Sequence, residues 1–477
     1  MTCGKAHRSV AVAGAGAAGT LITARLLELA ARCRLPLEIT LIDPAPTTGR
    51  GPAYATTDQR HLLNVPATRM SATADDPDDF ARWLAAHADG RVAPGGYAPR
   101  HLYGSYLADH LRQRAAIAPG TVVRVRDRVA GAVRTSGRLA LRTAGGRELT
   151  VDAAVLATGS HPPSVSWAPP ALRNSDAFVA DPWAPGALDA IPEGRDVLLV
   201  GTGLTMVDIA MTLARDGRTV HAVSRSGLLP HGHAAAPAVP VAPADGLTGC
   251  TGLDALRRAV LRHVARTRRG HGDWRPAIDG LRPLTAALWQ RLPESDRVRF
   301  IRGEARQWEV HRHRMAPATA DRLAGILANG RLSVRAGRVT EAAAAEDGLR
   351  IGLADGRRLA VGAVVNCTGP QTDARRVPDP LPRELFAAGL AAPGPLGLGL
   401  STLPDGRVRS AEGPDAPLWT LGATRRGELW ESTAIPEIRA QAAEVAAAVM
   451  DTLTTASPVA PRVRGMSGGD LAGRGAG

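Results

Sequence analysis

Ser9-Val10-Ala11-Val12-Ala13-Gly14-Ala15-Gly16-Ala17-Ala18-Gly19 decides the fold of this chain. A short buried-strand pattern runs straight into glycines spaced G-x-G-x-x-G. Apolar residues then recur at helical spacing through Leu21, Ile22, Leu26 and Leu29. Glu38-Ile39-Thr40-Leu41-Ile42-Asp43 reads as the next strand and ends in an acid 24 residues beyond Gly19. Strand, glycine turn, helix, strand, acid is the order of a dinucleotide-binding unit, in which the acid stands ~20 residues on and holds ribose hydroxyls. Gly14 permits the tight turn, and Gly16 lets backbone N–H groups reach a pyrophosphate. Gly19 lets helix and strand approach, and the helix start adds partial positive charge. The alternative is a glycine turn in an ordinary α/β unit.

The pattern returns in Asp196-Val197-Leu198-Leu199-Val200-Gly201-Thr202-Gly203-Leu204-Thr205-Met206-Val207-Asp208, followed by Thr219-Val220-His221-Ala222-Val223 and Ser224-Arg225. Met206 replaces the third glycine, which sets the helix slightly farther from its strand. An arginine at the strand end suits a 2′-phosphate and favours NADP over NAD, unless it is one more surface arginine. Two further stretches repeat. Residues 152–159 and 362–369 are apolar strands ending in Thr158-Gly159 and Thr368-Gly369. Alternating short strands precede each, at 122–129 with 139–143 and at 349–353 with 358–361. The expected fold class is α/β, with two Rossmann-like dinucleotide-binding domains.

Composition narrows the chemistry. The chain has 477 residues, with 58 basic and 45 acidic side chains. Lys5 is the only lysine, which argues against a Schiff-base or phosphate-loop lysine inside the fold. Cys3, Cys33, Cys250 and Cys367 form no C-x-x-C pair, against a zinc ribbon or a redox dithiol, and fit a reducing cytoplasmic compartment. No leader and no apolar run near ~18 residues is visible, so no membrane span is expected. Arginines are spread along the chain and aromatics make up 3%, so a nucleic-acid partner is not expected. His311-Arg312-His313-Arg314 reads as a charged loop or strand face rather than a metal site, with an anion-binding role as the other option. His231 and His233 read as loop residues, and Trp308 and Trp430 as packing.

Nine stretches carry a family resemblance: GAGAAG at 14–19, GRGPAY at 49–54, HLLNVPATRMS at 61–71, ATG at 157–159, VGTGLTMVD at 200–208, SRSGLLPHGH at 224–233, WEVHRHRMAP at 308–317, NCTGP at 366–370 and WESTAIPEIRAQA at 430–442. With them the chain resembles a bacterial FAD/NAD(P)-binding protein family of two-dinucleotide-domain flavoproteins, related to flavin-dependent N-hydroxylating monooxygenases. The resemblance implies a discontinuous FAD domain at 1–190 and 363–462, an NAD(P)H domain at 191–362 and a disordered tail at 463–477. It implies that Gly14, Gly16, Ala17, Ala18 and Gly19 face the FAD pyrophosphate, with Asp43 on the ribose and Arg50 in a phosphate-facing turn. It places Asn64 and Ser71 in a flavin-lining loop, although turn or cap roles are open to both. Gly422 would stand near the ribityl chain, and Thr433, Ala434 and Ile435 at a helix start facing the flavin pyrimidine. Gly201, Gly203, Leu204, Thr205, Ser224 and Arg225 would hold NADPH, and Thr158, Gly159, Thr368 and Gly369 would complete the cofactor sites. The implied activity is an NADPH-using monooxygenase acting through a flavin C4a-(hydro)peroxide and O2 on a small nucleophilic substrate, for example the amine of an acidic amino acid. A flavin dehydrogenase or reductase without oxygen insertion is the alternative, and a non-catalytic nucleotide sensor the third. No catalytic side chain is implied and no metal.

Overall fold

The computed structural model describes residues 7–455 apart from 89, 91, 94, 216, 237, 244 and 245. The expected tail at 463–477, with Cys3 and Lys5, lies outside the described residues.

Two five-stranded sheets organise the chain, and every strand pair within them is parallel. The first runs in the order Leu418–Thr420, Ala153–Leu156, Arg8–Ala13, Leu37–Ile42, Thr121–Val125. Its central strand is buried from Val10 to Ala13, as a parallel strand covered on both faces must be. Helix Ala17–Cys33 covers one face and packs on helices Arg100–Ile117 and Ile435–Thr455. Ile22, Leu26, Leu41, Val445 and Val449 share that core.

The second sheet runs in the order Leu332–Ala336, Val220–Ser224, Val197–Val200, Ala363–Asn366, Phe178–Val179. Leu199, Met206, Ile209 and Val365 form its core. Boundaries at 190/191 and 362/363 therefore cut this sheet. Ala363–Asn366 is an internal strand between Val197–Val200 and Phe178–Val179, and its hydrogen bonds bind it to the second sheet. The first sheet, in turn, takes its edge strand Leu418–Thr420 from beyond the second.

Each half also carries a three-stranded antiparallel sheet, at Val129–Thr135, Arg138–Thr143 and Glu148–Val151 and at Val339–Ala345, Gly348–Leu353 and Arg358–Val361. Both have a register shift near the start of the first strand. The expected hairpin of 122–129 with 139–143 is corrected here. Thr121–Val125 is an edge strand of the first parallel sheet, and Arg138–Thr143 pairs with Val129–Thr135 instead. Only Val125 of this short edge strand is buried, so its sequence carries no burial pattern that marks it as part of the parallel sheet.

Between strands Val220–Ser224 and Leu332–Ala336 the chain inserts helices from Leu253 to Ala328. His311 and Arg312 close the helix Ala305–Arg312, so the expectation of a loop or strand there is replaced. Among the described residues no helix is long and apolar enough to cross a membrane.

A polar contact ties the two halves together. Arg100 Nη2 lies 2.9 Å from Asp208 Oδ2, although the approach is not aligned for a hydrogen bond. Burial pushes the Asp208 carboxyl above the usual carboxylate range, with Arg100 pulling against it. His61 Nε2 lies 3.0 Å from both the Asp208 carbonyl and Thr212 Oγ1, and Thr212 donates to Asp58 Oδ2 at 2.8 Å.

Candidate active site

The first glycine turn is built by close approach. Gly14 has φ +106°, and a Cβ there would lie 2.2 Å from the Ala157 carbonyl oxygen. A Cβ on Gly19 would lie 1.8 Å from the Gly14 carbonyl oxygen. Gly16 is the N-cap of helix Ala17–Cys33 and leaves the helix start without a side-chain cap. Four N–H groups at such a start lack partners within the helix, and they attract an anion. Asp43 stands at the turn, where Oδ2 accepts from Ala15 N at 2.6 Å and Oδ1 from Ala45 N at 2.8 Å. The 49–51 turn folds over it: Gly49 N donates to the Ala15 carbonyl at 2.8 Å, and a Cβ on Gly16 would meet Gly51 Cα at 3.4 Å. Arg50 reaches Ser105 Oγ at 3.3 Å. Gly422 donates to Gln441 Oε1 at 2.9 Å and approaches Ala18. Residues from four separate stretches thus meet around one helix start.

The second turn repeats the design with one change. Gly201 has φ +110°, and a Cβ there would lie 2.2 Å from the Cys367 carbonyl oxygen. Gly203 caps helix Leu204–Leu213, which contains Thr205, again without a side-chain cap. Met206 is fully buried in the third-glycine position. Thr202 Oγ1 and Ser224 Oγ are 2.8 Å apart. Arg225 is exposed and has no ion pair among the described residues.

Both halves line one cleft of about 320 Å³. Thr158 and Gly159 come from the first sheet, Leu204 from the second glycine turn, and Gln371 from just beyond Thr368-Gly369. Thr368 Oγ1 donates to Asn366 Oδ1 at 2.7 Å and does not itself line the cleft. Asn64, Thr433 and His313 line this cleft and also a second one of about 180 Å³. Ser71 lines neither. Its buried hydroxyl lies 2.6 Å from the Asp76 carbonyl and 2.8 Å from the Thr73 carbonyl and accepts from Thr73 N at 3.0 Å, so it stabilises a turn. Ile435 is packed in the first core, while Ala434 lines the second cleft.

The second cleft is charged. Arg282 grips Glu437 through Nε and Nη2, each at 2.5 Å, and Arg312 Nε meets Glu431 at 3.0 Å. Arg314 pairs with Asp279, and Arg426 lies 3.4 Å from Glu309. Arg69, exposed at the wall, has no ion pair among the described residues. Burial pushes the Glu437 carboxyl up, but the hydrogen bonds and charge of Arg282 outweigh it and hold it below the usual range. The Ser432 hydroxyl is 1% exposed, lines this cleft and has no hydrogen-bond partner. It is an orphaned polar group beside the Thr433-Ala434 helix start. Trp430 packs 4.9 Å from Trp289, and Trp308 Nε1 donates to Glu431 Oε1 at 2.8 Å.

Sequence reading sets Ser432 and Glu437 at this helix start but gives no site role to Asp279, Glu309 or Glu431. The charges have partners far away in the chain, so no local spacing marks them.

His233 donates from Nε2 to the Asn64 carbonyl at 2.9 Å. Burial lowers its pKa to about 4, with Arg314 adding to the effect. Burial and then Arg312 lower that of His313 to about 4. Both imidazoles are neutral at pH 7 in the fold, whereas the unfolded chain protonates them near 6.5. Between those values the unfolded state binds more protons, so these groups cost stability as pH falls from 6.5 toward 4. We expect the thermal midpoint of His313→Gln to fall less than that of the parent across this window; parallel curves would contradict it.

Residues 11–161 match the model of a family described as FAD-NAD(P)-binding. No curated protein matches the chain. Among solved structures, the chain is similar to L-lysine 6-monooxygenase from Pseudomonas syringae (17% identity, TM-score 0.63, 94% of this chain and 100% of that one). It is similar to the reduced ornithine hydroxylase from Pseudomonas aeruginosa (16%, 0.62, 94% and 99%). It is also similar to the ornithine N-hydroxylase from Kutzneria sp. 744, solved with reduced FAD, NADP+ and L-ornithine (14%, 0.60, 93% and 99%). The chain therefore carries an FAD-NAD(P)-binding domain at residues 11–161 and adopts, over nearly its whole length, the fold shared by flavin-dependent N-hydroxylating monooxygenases.

Proposed function

We propose that the protein is an FAD-dependent, NADPH-using monooxygenase that oxygenates the amine of a small carboxylate-bearing substrate, such as an acidic amino acid. The observation that carries this reading is the shared cleft. Thr158-Gly159 of the first half and Leu204 of the second face the same space, next to a charged pocket. The fold relatives that act on ornithine and lysine support the reaction class. When bound, FAD supplies a hydride acceptor for NADPH and a centre for O2 activation.

The chain's own residues supply the rest. Gly14 and Gly19 let strand and helix close on each other where a Cβ would strike backbone, and the uncapped helix start at Gly16 that this leaves fits the diphosphate of FAD. The start of helix Ile435–Thr455, beside the orphaned Ser432 hydroxyl, offers N–H donors that favour negative charge. Five arginines against four carboxylates leave the pocket electropositive, with Arg69 unmatched. A carboxylate substrate gains from that charge. Positive surroundings also lower the pKa of a substrate ammonium, so its proton leaves more readily and the nitrogen becomes nucleophilic. His233 and His313, held neutral, add no further positive charge.

Rapid mixing tests the oxygenase reading. Protein reduced by NADPH and mixed with air should show a lasting near-ultraviolet flavin absorption before the oxidised spectrum returns. Direct return to oxidised flavin favours the reductase reading instead. A second expectation concerns the nucleotide. Arg225→Ala should raise KM for NADPH by about tenfold or more, as for loss of a charged hydrogen bond, and leave KM for NADH unchanged. Equal losses for both would refute a 2′-phosphate role for Arg225.

A further inference from the structure

Aromatic side chains make up only 3% of this chain, yet three of its four tyrosines stand in one row. The ring centroids of Tyr54 and Tyr103 are 4.9 Å apart, those of Tyr103 and Tyr106 5.6 Å, and those of Tyr106 and Trp83 5.9 Å. Tyr103 and Tyr106 are fully buried. Trp83 is half-buried, and its indole stacks at 4.3 Å on the exposed His87 imidazole. At the inner end Tyr54 closes the four-residue helix Gly51–Tyr54, whose first residue lies against Gly16 at the first glycine turn. The row therefore runs from that turn to the protein surface.

Packing asks only for rings, and Phe80 supplies one among them. The polar tips of the row add a second property. The Tyr106 hydroxyl donates to Asp79 Oδ2 at 2.5 Å, and Trp83 Nε1 donates to Asp109 Oδ2 at 3.0 Å. A phenol or indole that loses an electron becomes a strong acid, and here each has a carboxylate in place to take the proton. Burial and then the Asp79 bond raise the Tyr106 phenol above its ordinary pKa, so the proton stays until the ring is oxidised. The Tyr103 hydroxyl has no partner, so a positive charge passes through that ring without resting there.

We propose that Tyr54, Tyr103, Tyr106 and Trp83 form an electron-transfer row that refills a one-electron oxidant at the flavin site from a soluble thiol at the surface. The inference rests on the reading that the first glycine turn holds FAD, whose chemistry includes one-electron steps. Tyr54 gives one electron inward and is refilled through Tyr103 by Tyr106, whose O–H bond breaks as its proton passes to Asp79. Trp83 then gives Tyr106 one electron, the proton returns from Asp79, and the indole proton passes to Asp109. The thiol gives Trp83 one electron, and Asp109 gives the proton back. Two spent thiols, their protons released to water, join as a disulfide.

Blue light makes bound oxidised flavin a one-electron oxidant on demand, so illumination of the FAD-loaded protein without oxygen tests the row. Without thiol, electron paramagnetic resonance of the frozen parent should show a tryptophanyl radical. Trp83→Phe should lose that signal and show a tyrosyl radical instead. Tyr106→Phe, which keeps the ring but not the proton step, should lose both. With 2-mercaptoethanol present, bleaching of the flavin bands in the light should be slower in both variants than in the parent. The phenylalanine rings preserve the packing, and melting curves and flavin content confirm that each variant is folded and loaded. A tryptophanyl signal undiminished in Trp83→Phe overturns the inference, as does a yellow parent that forms no protein radical. Equal bleaching rates in all three proteins overturn it as well. A parent that takes up no FAD overturns the flavin reading itself, and the inference with it.

Discussion

Gly19→Ala is expected to yield protein that retains little or no flavin and melts well below the parent. The added methyl carbon would lie 1.8 Å from the Gly14 carbonyl oxygen, and ordinary contact begins at 3.4 Å. That oxygen belongs to backbone that the sheet holds in place, and the methyl would be fixed to the helix backbone at Gly19. Ala13 is in register with Ile42 and Leu156, and Gly14 N donates to the Ile42 carbonyl at 2.8 Å. Helix Ala17–Cys33 must therefore lift from the sheet or the Gly14 turn must open. Either change spoils the N–H groups that face a diphosphate, and overpacking of this kind costs about 1–3 kcal/mol or more. Gly203→Ala is the control. Its methyl meets nothing nearer than Arg306 Nη1 at 3.9 Å, so fold and flavin content should survive. Flavin absorbance per protein and thermal melting read both variants. A Gly19→Ala protein as yellow and as stable as the parent would remove the close-packed turn from the account.

The second large effect lies in the charged cleft. Glu431→Ala should destabilise the protein by about 3–5 kcal/mol, the usual range when one partner of a buried ion pair is removed. Arg312 and Glu431 are 10% and 9% exposed, so solvent screens neither. Glu431 also accepts from Trp308 Nε1 at 2.8 Å, and alanine leaves that donor without its partner. The pair joins the helical insertion to the segment leading into helix Ile435–Thr455, so its loss loosens the wall that Ser432 and Thr433 share. Glu431→Gln should cost less, because the amide oxygen can still accept from Trp308. Denaturant midpoints measured for the three proteins check this. Equal stability of parent and alanine variant would mean that the cleft is wetter and looser than its geometry implies.

How much of this could be read in the chain follows from the range of the forces involved. The glycine turns were legible because a positive φ and a close strand–helix approach are local demands on Gly14, Gly19 and Gly201. The Thr-Gly strand ends were legible because the halves repeat them. The pairing of Thr121–Val125 was not legible because a short, mostly exposed edge strand carries no buried face that fixes its partner. The helix carrying Arg306, Glu309 and Arg312 was not legible, since its polar sequence gives little amphipathic signal. The cleft was hidden for a further reason. Arg312 and Glu431 stand 119 residues apart, and Arg282 and Glu437 stand 155 apart. Only the packing of the insertion against the returning chain brings such charges together. Asp43 shows a gap of another kind. Its position after the second strand was plain, but its bonds to Ala15 and Ala45 could be seen only in three dimensions.

The most direct measurement is the absorption spectrum of the purified protein, taken before and after anaerobic addition of NADPH and, in parallel, NADH. The account predicts a yellow protein whose visible flavin bands bleach on reduction, faster with NADPH. A colourless protein that takes up no added FAD, or a flavin that neither nucleotide reduces, would contradict it.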